Sequence, residues 1–386
     1  MPVYLDNNAT TPLDRRVLDE MLPYLRGDFG NPASGSHAYG WTAEAAVEVA
    51  RERVAAAIGA LPEEIIFTSG ATESDNLALR GTLSGGDHLI VCATEHEAVL
   101  NTARTLESYG LSLTVLPVDE AGFVSPDDLR RSIRHETALV SVMLANNETG
   151  VVQNVASLSK VANERGVPFH TDAAQTLGRL PLDVGSLGVS MMSLSAYNAH
   201  GPKGVGALYV SRAVRPGLAP LFTGGGQEDG LRGGTLNVPG IVGFGKAAEL
   251  AAASLTEEAK RLTSMKERLL GLLREGFGSL GVEATVNGNV ETTLPNTLSV
   301  RFGGLNAGEL LANCPGVAAS TGSACASRDP EPSHVLLAMG LKEKDISSTV
   351  RLSLGRFTTE ADVEEAANRL ARTAEGILTE GQVRAG

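Results

Sequence analysis

One cysteine of this chain lies in a setting that favours chemistry over packing. Cys325 stands among small residues, in the stretch Ser320-Thr321-Gly322-Ser323-Ala324-Cys325-Ala326-Ser327, which predicts a loop. Cys92 instead closes the apolar run Leu89-Ile90-Val91-Cys92, as a structural cysteine usually does. A thiolate presented on a loop is a nucleophile. The composition alone also fits an ordinary loop cysteine, so both interpretations stay open at this point.

A second stretch has the pattern of an anion-binding helix start. The residues Phe67-Thr68-Ser69-Gly70-Ala71-Thr72-Glu73-Ser74-Asp75-Asn76 lead from an apolar strand through small residues into a helix. Free N–H groups at the start of a helix hold phosphate, and the hydroxyl of Thr72 would assist them. No Gly-Lys-Ser/Thr follows, which excludes a Walker loop. A helix capped by Ser or Thr is the simpler alternative.

An acidic residue stands at the end of a predicted buried strand, in Phe169-His170-Thr171-Asp172-Ala173-Ala174-Gln175. Open α/β sheets bind ligands at such strand ends. A buried carboxylate there needs a cationic partner, because it otherwise tends to protonate. Asp172 is therefore a candidate binding residue, and the alternative is an aspartate that caps the next helix.

Two glycine-rich stretches form a third kind of signal. They are residues 195–204, which include Lys203, and residues 224–235, which end in Arg232-Gly233-Gly234-Thr235. Glycine lets the backbone pass close to a ligand or to another subunit. Ordinary looping is the simpler interpretation of each stretch taken alone.

The elements that must position these residues alternate between helices and short apolar strands. The pattern predicts helices over 42–59, 69–80 and 359–380, with one helix or two over 250–277. Strands are predicted over 64–67, 88–92, 113–116, 139–144, 167–171, 204–210 and 297–302. Short buried runs between helices indicate a mainly parallel sheet covered on both faces. The change of character near residue 250 predicts a large domain of residues 16–250, and a small one of residues 1–15 and 251–386.

The composition argues against several classes of protein. The chain has 386 residues and a formal net charge of −13, so no broad basic surface for nucleic acid is expected. No apolar run reaches the roughly 18 residues of a membrane span. The N-terminus has neither a basic start nor an apolar core, so we expect no signal peptide. Three cysteines, without a CxxC pair or Cys/His zinc spacing, indicate reduced thiols in a cytoplasmic protein without a structural metal.

Together, these stretches resemble the cysteine desulfurases of the NifS/IscS type, which are fold-type I pyridoxal 5′-phosphate (PLP) enzymes. The matching segments run in family order over almost the whole chain, at residues 4–11, 30–34, 68–76, 94–96, 146–150, 170–175, 201–209, 234–238, 323–325 and 351–359. The resemblance implies an α/β fold with a mainly parallel seven-stranded sheet and a smaller α+β C-terminal domain. It also implies a homodimer that converts L-cysteine to L-alanine and leaves a persulfide on Cys325.

The persulfide sulfur would pass to an acceptor or an iron–sulfur scaffold protein, for iron–sulfur cluster or thio-cofactor assembly. Cys325 is in addition a possible transient cluster ligand. The resemblance implies that the cofactor is held by Ala71, Thr72, His96, Asp172, Gln175, Ser195, Tyr197 and Thr235.

Each of these side chains has an implied task. Ala71 and Thr72 hold the phosphate with help from Ser195, and Thr235 reaches the phosphate of the other subunit. Asp172 pairs with the pyridinium N–H, which keeps the ring an electron sink. Gln175 donates to the phenolic oxygen, and His96 stacks on the ring and shuttles protons. The substrate is oriented, and its carboxylate bound, by Asn147 and Arg351, with Arg356 as a second candidate.

The sequence departs from the family at two adjacent positions. The family pattern is roughly Ser-Gly/Ala-His-Lys-x-Tyr/His-Gly-Pro-Lys-Gly, and its first lysine binds PLP covalently. Here Asn198 occupies the position of that lysine and Tyr197 the position of the preceding histidine, while Lys203 matches the second lysine. An amide cannot form the covalent bond, so PLP would be held non-covalently.

The base that moves the α-proton of the substrate is absent as well. General acid–base catalysis contributes roughly 10²–10⁴-fold, so His200 or His96 would have to replace the lysine. An engineered replacement would also give Asn198, but the second change, at Tyr197, favours divergence.

Three functions stay open from the sequence. The first is a working cysteine desulfurase, which the presence of Cys325, His96, Asp172 and Arg351 favours. The second is a catalytically impaired homologue that acts as a dimeric scaffold or sulfur-relay partner, as Asn198 suggests. The third is a lysine-independent enzyme of another reaction type that uses PLP or pyridoxamine phosphate.

Overall fold

The computed structural model describes residues 2–321 and 332–385. Its strands are β1 (Val3–Tyr4), β2 (Ile65–Thr68), β3 (His88–Cys92), β4 (Ser112–Leu116), β5 (Thr137–Ser141), β6 (Phe169–Asp172), β7 (Met191–Ser195), β8 (Gly206–Val210), β9 (Ala284–Val286), β10 (Thr297–Phe302), β11 (Val317–Ala318) and β12 (Thr349–Ser353). Its α-helices are α1 (Arg15–Arg26), α2 (Ala38–Ala57), α3 (Ala71–Thr82), α4 (Glu97–Ser108), α5 (Pro126–Ser132), α6 (Val155–Asn163), α7 (Val184–Leu187), α8 (Val238–Gly278), α9 (Ala307–Ala312), α10 (His334–Ala338), α11 (Glu343–Ile346) and α12 (Glu360–Ala385).

Seven strands form the central sheet, in the order β2-β8-β7-β6-β5-β3-β4. Strand β8 runs antiparallel to β2 and β7, whereas the other neighbouring pairs are parallel. Five of these strands are buried along their whole length, β5 is buried except at Ala138, and the edge strand β4 is the most exposed. The predicted fold class, α/β with a mainly parallel seven-stranded sheet, is confirmed.

Helices cover both faces of this sheet. Ile65 and Phe67 of β2 belong to one hydrophobic cluster, and Ile66 between them belongs to another. This alternation follows from the strand geometry, which points successive side chains to opposite faces. Helices α2 and α8 contribute to the first cluster and α3 and α4 to the second.

A smaller antiparallel sheet, in the order β12-β10-β9, has its own hydrophobic cluster. Phe277 of α8 stacks there on Phe302 of β10, with ring centroids 4.0 Å apart. Val3 and Leu5, near the N-terminus, pack into the same cluster, and β1 pairs with β11. Because α8 passes residue 250 without a break, the division into residues 16–250 and residues 1–15 with 251–386 stays a prediction.

Helix α8 begins well before the predicted position at residue 250, and of the two alternatives, one helix or two, it is the single helix. The amide oxygen of Asn237 accepts the N–H of Gly240 and caps the start of the helix. Glycine weakens helical propensity, which hides this first part of the helix from sequence patterns. The glycines have a packing role, because a Cβ at Gly245 would lie 2.6 Å from the Cα of Ala50 in α2.

Strands β7 and β12 are also missed by the sequence pattern, because they bury polar side chains. Ser193 of β7 shares a hydrogen bond with the His170 ring, and Ser353 of β12 accepts the N–H of Asn8. Within the described residues, no helix is both long enough and apolar enough to cross a membrane.

Glu228 anchors the glycine-rich segment at residues 224–235 to the central sheet. Its carboxylate accepts hydrogen bonds from both terminal nitrogens of Arg51, at 2.7 and 3.0 Å, and from the N–H of Phe67 at 2.8 Å. Glu228 and Asp229 both adopt left-handed backbone conformations, with φ of 48° and 54°. Such conformations are costly for side chains other than glycine, so the buried ion pair must hold the segment in this shape.

Replacing Glu228 by glutamine tests this anchor. We expect Glu228→Gln to lower the free energy of unfolding by about 3–5 kcal/mol, because Arg51 would lose its buried counter-charge. Glu48 also pairs with Arg51, at 3.2 Å, but its side chain is 55% exposed. Glu48→Gln is therefore the matched control, and its effect should stay below about 1 kcal/mol. Denaturant unfolding measures both variants, and equal losses would show that Glu228 is not the anchor.

Candidate active site

A cavity of about 200 Å³ lies at the carboxyl edge of the central sheet. Thr68 is the last residue of β2 and Asp172 the last of β6, while His96 follows β3. Open α/β sheets bind their ligands at this edge. The residues lining the cavity are Ser69, Gly70, Ala71, Thr72, Glu73, His96, Met143, Ala145, Asn147, Asp172, Ala174, Gln175, Tyr197 and Asn198.

Most of the predicted site residues meet in this cavity. Those that line it are Ala71, Thr72, His96, Asn147, Asp172, Gln175, Tyr197 and Asn198. Ser195, His200, Thr235 and Arg351 do not line it, and Cys325 lies outside the described residues. A larger cavity of about 590 Å³ is bounded by α2 and the segment at residues 226–236, and none of the predicted site residues that the structure describes lines it.

The start of α3 forms one wall of the cavity. No side chain of the described residues caps this helix at Gly70, so its first N–H groups can bind an anion. Ser195 ends β7 opposite Gly206, and a Cβ at Gly206 would lie 2.7 Å from the Cα of Gly70. The buried hydroxyl of Ser195 has no hydrogen-bond partner among the described residues. An uncapped helix start near an unsatisfied hydroxyl fits a phosphate group such as that of PLP.

Asp172 provides the acidic wall. Its Oδ1 accepts the N–H of Ala174 at 2.9 Å. Burial raises the pKa of this carboxyl, and the nearby His96 partly opposes that effect. A cationic ring N–H against Asp172 would favour the ionised form, so this residue fits the pyridinium nitrogen of PLP.

Two further buried carboxyl groups share this part of the molecule. Burial and the charge of Asp172 raise the pKa of Asp75 well above its ordinary range, and burial is also the main cause that raises the pKa of Glu95. The Nε2 of His170 lies 3.6 Å from Asp75, but burial lowers the pKa of His170 to about 3, so its ring is neutral. Asp75, Glu95 and His170 lie in three separate segments that match the family. Their spacing in the sequence does not show that they are close in space.

His96 caps helix α4, which fixes the tautomer of its neutral ring. Its Nδ1 accepts the N–H of Ala98 at 3.1 Å. In a neutral imidazole with an acceptor at Nδ1, the proton is on Nε2. His96 can therefore hold a proton at Nε2 while it lines the cavity beside Asp172 and Asn198.

Arg179 is a candidate functional residue that the sequence pattern does not reveal. Its guanidinium donates to Oε1 of Gln175 at 2.5 Å and to Oδ1 of Asn8 at 3.1 Å. The Nε2 of Gln175 in turn donates to the carbonyl of Asn8 at 3.0 Å. Burial lowers the pKa of Arg179 to about 10, so it stays charged at neutral pH. Arg179 thereby fixes which end of the Gln175 amide donates.

Asn198 lies in a short 3₁₀ turn, Tyr197–Ala199, directly after β7. The residue is 3% exposed, and neither atom of its amide has a hydrogen-bond partner among the described residues. A buried polar group without a partner costs about 1–3 kcal/mol. The amide also has no nucleophilic nitrogen with which to bind PLP covalently.

His200 follows this turn in a left-handed conformation, with φ of 63°. Its Nδ1 bonds to the carbonyl of Pro12 at 3.0 Å, and its Nε2 accepts the N–H of Arg356 at 3.3 Å. Burial and the charge of Arg356 lower the pKa of His200 to about 4. Both ring nitrogens are therefore engaged, next to a separate cavity of about 20 Å³.

Both candidate carboxylate-binding arginines already have acidic partners. Arg351 is 1% exposed, donates to Asp6 at 2.7 Å and donates to the carbonyl of Asn147 at 3.2 Å. Its Nε has no hydrogen-bond partner among the described residues. Arg356 pairs with Asp14 at 2.8 Å. Only Arg351 contacts a residue that lines the cavity, through Asn147.

Known proteins resemble this chain over nearly its whole length. The sequence model of the family described as aminotransferase class-V matches residues 3–366. The cysteine desulfurase IscS of Anaeromyxobacter sp. (strain Fw109-5) is 51% identical over 94% of this chain and 90% of its own length. A solved structure described as a NifS-like protein is 38% identical, with a TM-score of 0.89, and covers 97% of this chain and 100% of its own.

A second solved structure, described as SspA in complex with cysteine, is also 38% identical, with a TM-score of 0.80. It covers 92% of this chain and 99% of its own. These likenesses extend over the central sheet, the cavity at its edge and the smaller sheet. The chain therefore belongs to the class-V aminotransferase family, among the cysteine desulfurases of the NifS/IscS type.

Proposed function

We propose that this protein is a PLP-dependent cysteine desulfurase that takes sulfur from L-cysteine and releases L-alanine. The observation that carries the proposal is the cavity at the sheet edge, where an uncapped helix start and the buried Asp172 face one space. The relative from Anaeromyxobacter bears the name of this activity. Sulfur passes to Cys325, so that cysteine and a thiol give alanine and a persulfide without any external oxidant.

The residues of the cavity divide the work of holding the cofactor. Ala71 and Thr72 bind the phosphate with their N–H groups and hydroxyl, and Ser195 adds its unsatisfied hydroxyl. Asp172 accepts the ring N–H, and Gln175 is oriented by Arg179 towards donation from its Nε2. When bound, PLP supplies an electron sink for bonds at the α-carbon of the substrate.

His96 is the residue that we assign to proton transfer. It lines the cavity with Asn198, and its Nε2 can carry a proton. His200 is less suited, because hydrogen bonds engage both of its ring nitrogens and its pKa is lowered to about 4. Asn198 contributes a donor and an acceptor where the family has a lysine, so it orients a bound group but cannot act as a base.

Substrate recognition falls to Asn147 and Arg351. The Nε of Arg351 has no hydrogen-bond partner among the described residues, so its N–H remains available to the substrate carboxylate. Guanidinium groups suit carboxylates because their donors form a planar fork. Asp6 shares this guanidinium, so the substrate carboxylate must bind beside an existing ion pair.

The assembly that we propose is a cytoplasmic homodimer. Thr235 is exposed and does not line the cavity of its own subunit, which supports a role at the phosphate of a second copy. The described cysteines, Cys92 and Cys314, are free thiols, as in a reducing compartment. The persulfide would pass to a sulfur-acceptor or iron–sulfur scaffold protein, with Cys325 as a possible transient cluster ligand.

Alanine and sulfide release from L-cysteine, with added PLP and a reductant, tests the activity. The native protein, Asn198→Lys and Cys325→Ser are compared side by side. We expect the native protein to turn over and Asn198→Lys to be faster by roughly 10²-fold or more, because the lysine restores a base. Cys325→Ser should lose turnover, because no thiol is left to receive sulfur.

The same assay separates the alternatives. An inactive native protein with an active Asn198→Lys variant would contradict the proposed activity. It would favour a catalytically impaired scaffold or sulfur relay, because the loss of activity would then be due to Asn198. A tightly bound cofactor without cysteine turnover in any variant would favour another reaction type.

The role of Asp172 is tested by cofactor binding. We expect Asp172→Asn to weaken PLP binding by about 10–100-fold, because a hydrogen bond to a charged group contributes roughly 1.5–3 kcal/mol. Asp127, an exposed aspartate of α5, supplies the control variant Asp127→Asn. Calorimetric titration with PLP measures both dissociation constants, and equal affinities would remove Asp172 from the binding site.

A further inference from the structure

An acidic side chain lies inside the proposed phosphate site. Glu73 follows Thr72 in the first turn of α3 and lines the cavity. Its carboxylate accepts the N–H of Ser69 at 2.7 Å, and its side chain is 8% exposed. An anion in this position opposes the binding of another anion, so its charge needs an explanation.

The charge of Glu73 is compensated from the glycine-rich segment at residues 224–235. The Nε of Arg232 donates to Glu73 at 2.9 Å, and its Nη2 donates at 3.5 Å. Burial acts to raise the pKa of Glu73, but the hydrogen bonds from Arg232 and Ser69 outweigh burial and lower it. The carboxyl is therefore ionised at neutral pH, and it forms a neutral pair with the guanidinium.

The rest of the cavity wall has little positive charge with which to attract a phosphate. Among the described residues that line it, none is a lysine or an arginine. Asn198 stands where the family has a lysine, so that cation is missing as well. A phosphate at the start of α3 would therefore meet only backbone N–H groups, hydroxyls and the Glu73–Arg232 pair.

We propose that Arg232 sets the affinity of this site for a phosphate group by neutralising Glu73. Arg232 acts through Glu73 and is a positioning residue, not a catalytic one. The inference rests on the cofactor site proposed above, and it adds a role for Arg232 that the sequence motif did not indicate. A pair with a net negative charge would oppose phosphate binding, because like charges that line one cavity repel each other.

Charge arithmetic makes the proposal testable with four forms of the protein. The pair has no net charge in the native protein and in the Glu73→Gln/Arg232→Gln double variant. It carries −1 in Arg232→Gln and +1 in Glu73→Gln. Each form is stripped of cofactor and titrated calorimetrically with PLP and with pyridoxal, which lacks the phosphate. The ratio of the two affinities isolates the phosphate from general effects on the pocket.

We expect Arg232→Gln to lower the ratio by about tenfold, Glu73→Gln to keep or raise it, and the double variant to return it close to the native value. The loss in Arg232→Gln should shrink at high salt, because the side chain of Arg232 is 23% exposed. Arg212→Gln removes a charge from an exposed ion pair with Glu63 and should leave the ratio unchanged.

A purely structural brace would give a different pattern. If both single variants and the double variant lose affinity alike, the pair holds the segment in place and the proposal is wrong. Thermal unfolding without cofactor identifies any variant that is simply unstable. The double variant then decides the outcome: a ratio near the native value supports the proposal, and a ratio as low as that of Arg232→Gln contradicts it.

Thr72→Ala separates this inference from the proposed cofactor site. A lower ratio in Thr72→Ala with an unchanged ratio in Arg232→Gln would overturn the role of Arg232 alone. Unchanged ratios in Thr72→Ala and in all the other variants would mean that the phosphate binds elsewhere, and both proposals would fail.

Discussion

The buried carboxyl group of Asp172 is the constraint on which the site depends. It stands at the end of β6, near two other buried acids, Asp75 and Glu95, and burial raises the pKa of all three. A carboxylate away from water ionises only when a cation compensates it. A ring with a protonated nitrogen would supply that charge, so the position of Asp172 favours a ligand with a cationic ring, as proposed for PLP.

The arginines around the site are held in place by partners far away in the sequence. Arg351 pairs with Asp6, Arg356 with Asp14, and Arg179 contacts Asn8. The first residues of the chain thus tie the central sheet to the smaller sheet at the place where a substrate would bind. Each guanidinium is oriented before a ligand arrives, which lowers the entropy lost on binding.

Asn198 changes the chemistry of this arrangement without changing its shape. The chain keeps the fold of the cysteine desulfurases, the acid at the end of β6 and the helix start at Ala71. The amide leaves a buried donor and acceptor unpaired, whereas a lysine would offer a nucleophile and a base. In the function proposed here, non-covalent contacts would have to retain the cofactor, and the phosphate end of the cavity would contribute to them.

The sequence by itself determined the fold class, most of the strands and most of the residues that line the cavity. Short apolar runs, small-residue turns and family motifs are local signals, and Thr72, Asp172 and Asn198 are visible in them. The pattern missed the start of α8, where glycines serve close packing, and β7, where serines are buried. These exceptions arise because packing and hydrogen bonding override local propensity.

Only the tertiary structure decided how the charges pair. Arg179 reaches Gln175 and Asn8, Arg232 neutralises Glu73, and both nitrogens of His200 are occupied by backbone groups. These contacts join residues that are up to 188 positions apart, and no spacing rule connects them. The ionisation of a buried group depends on its distance from other charges and from water, and those distances exist only in the folded chain.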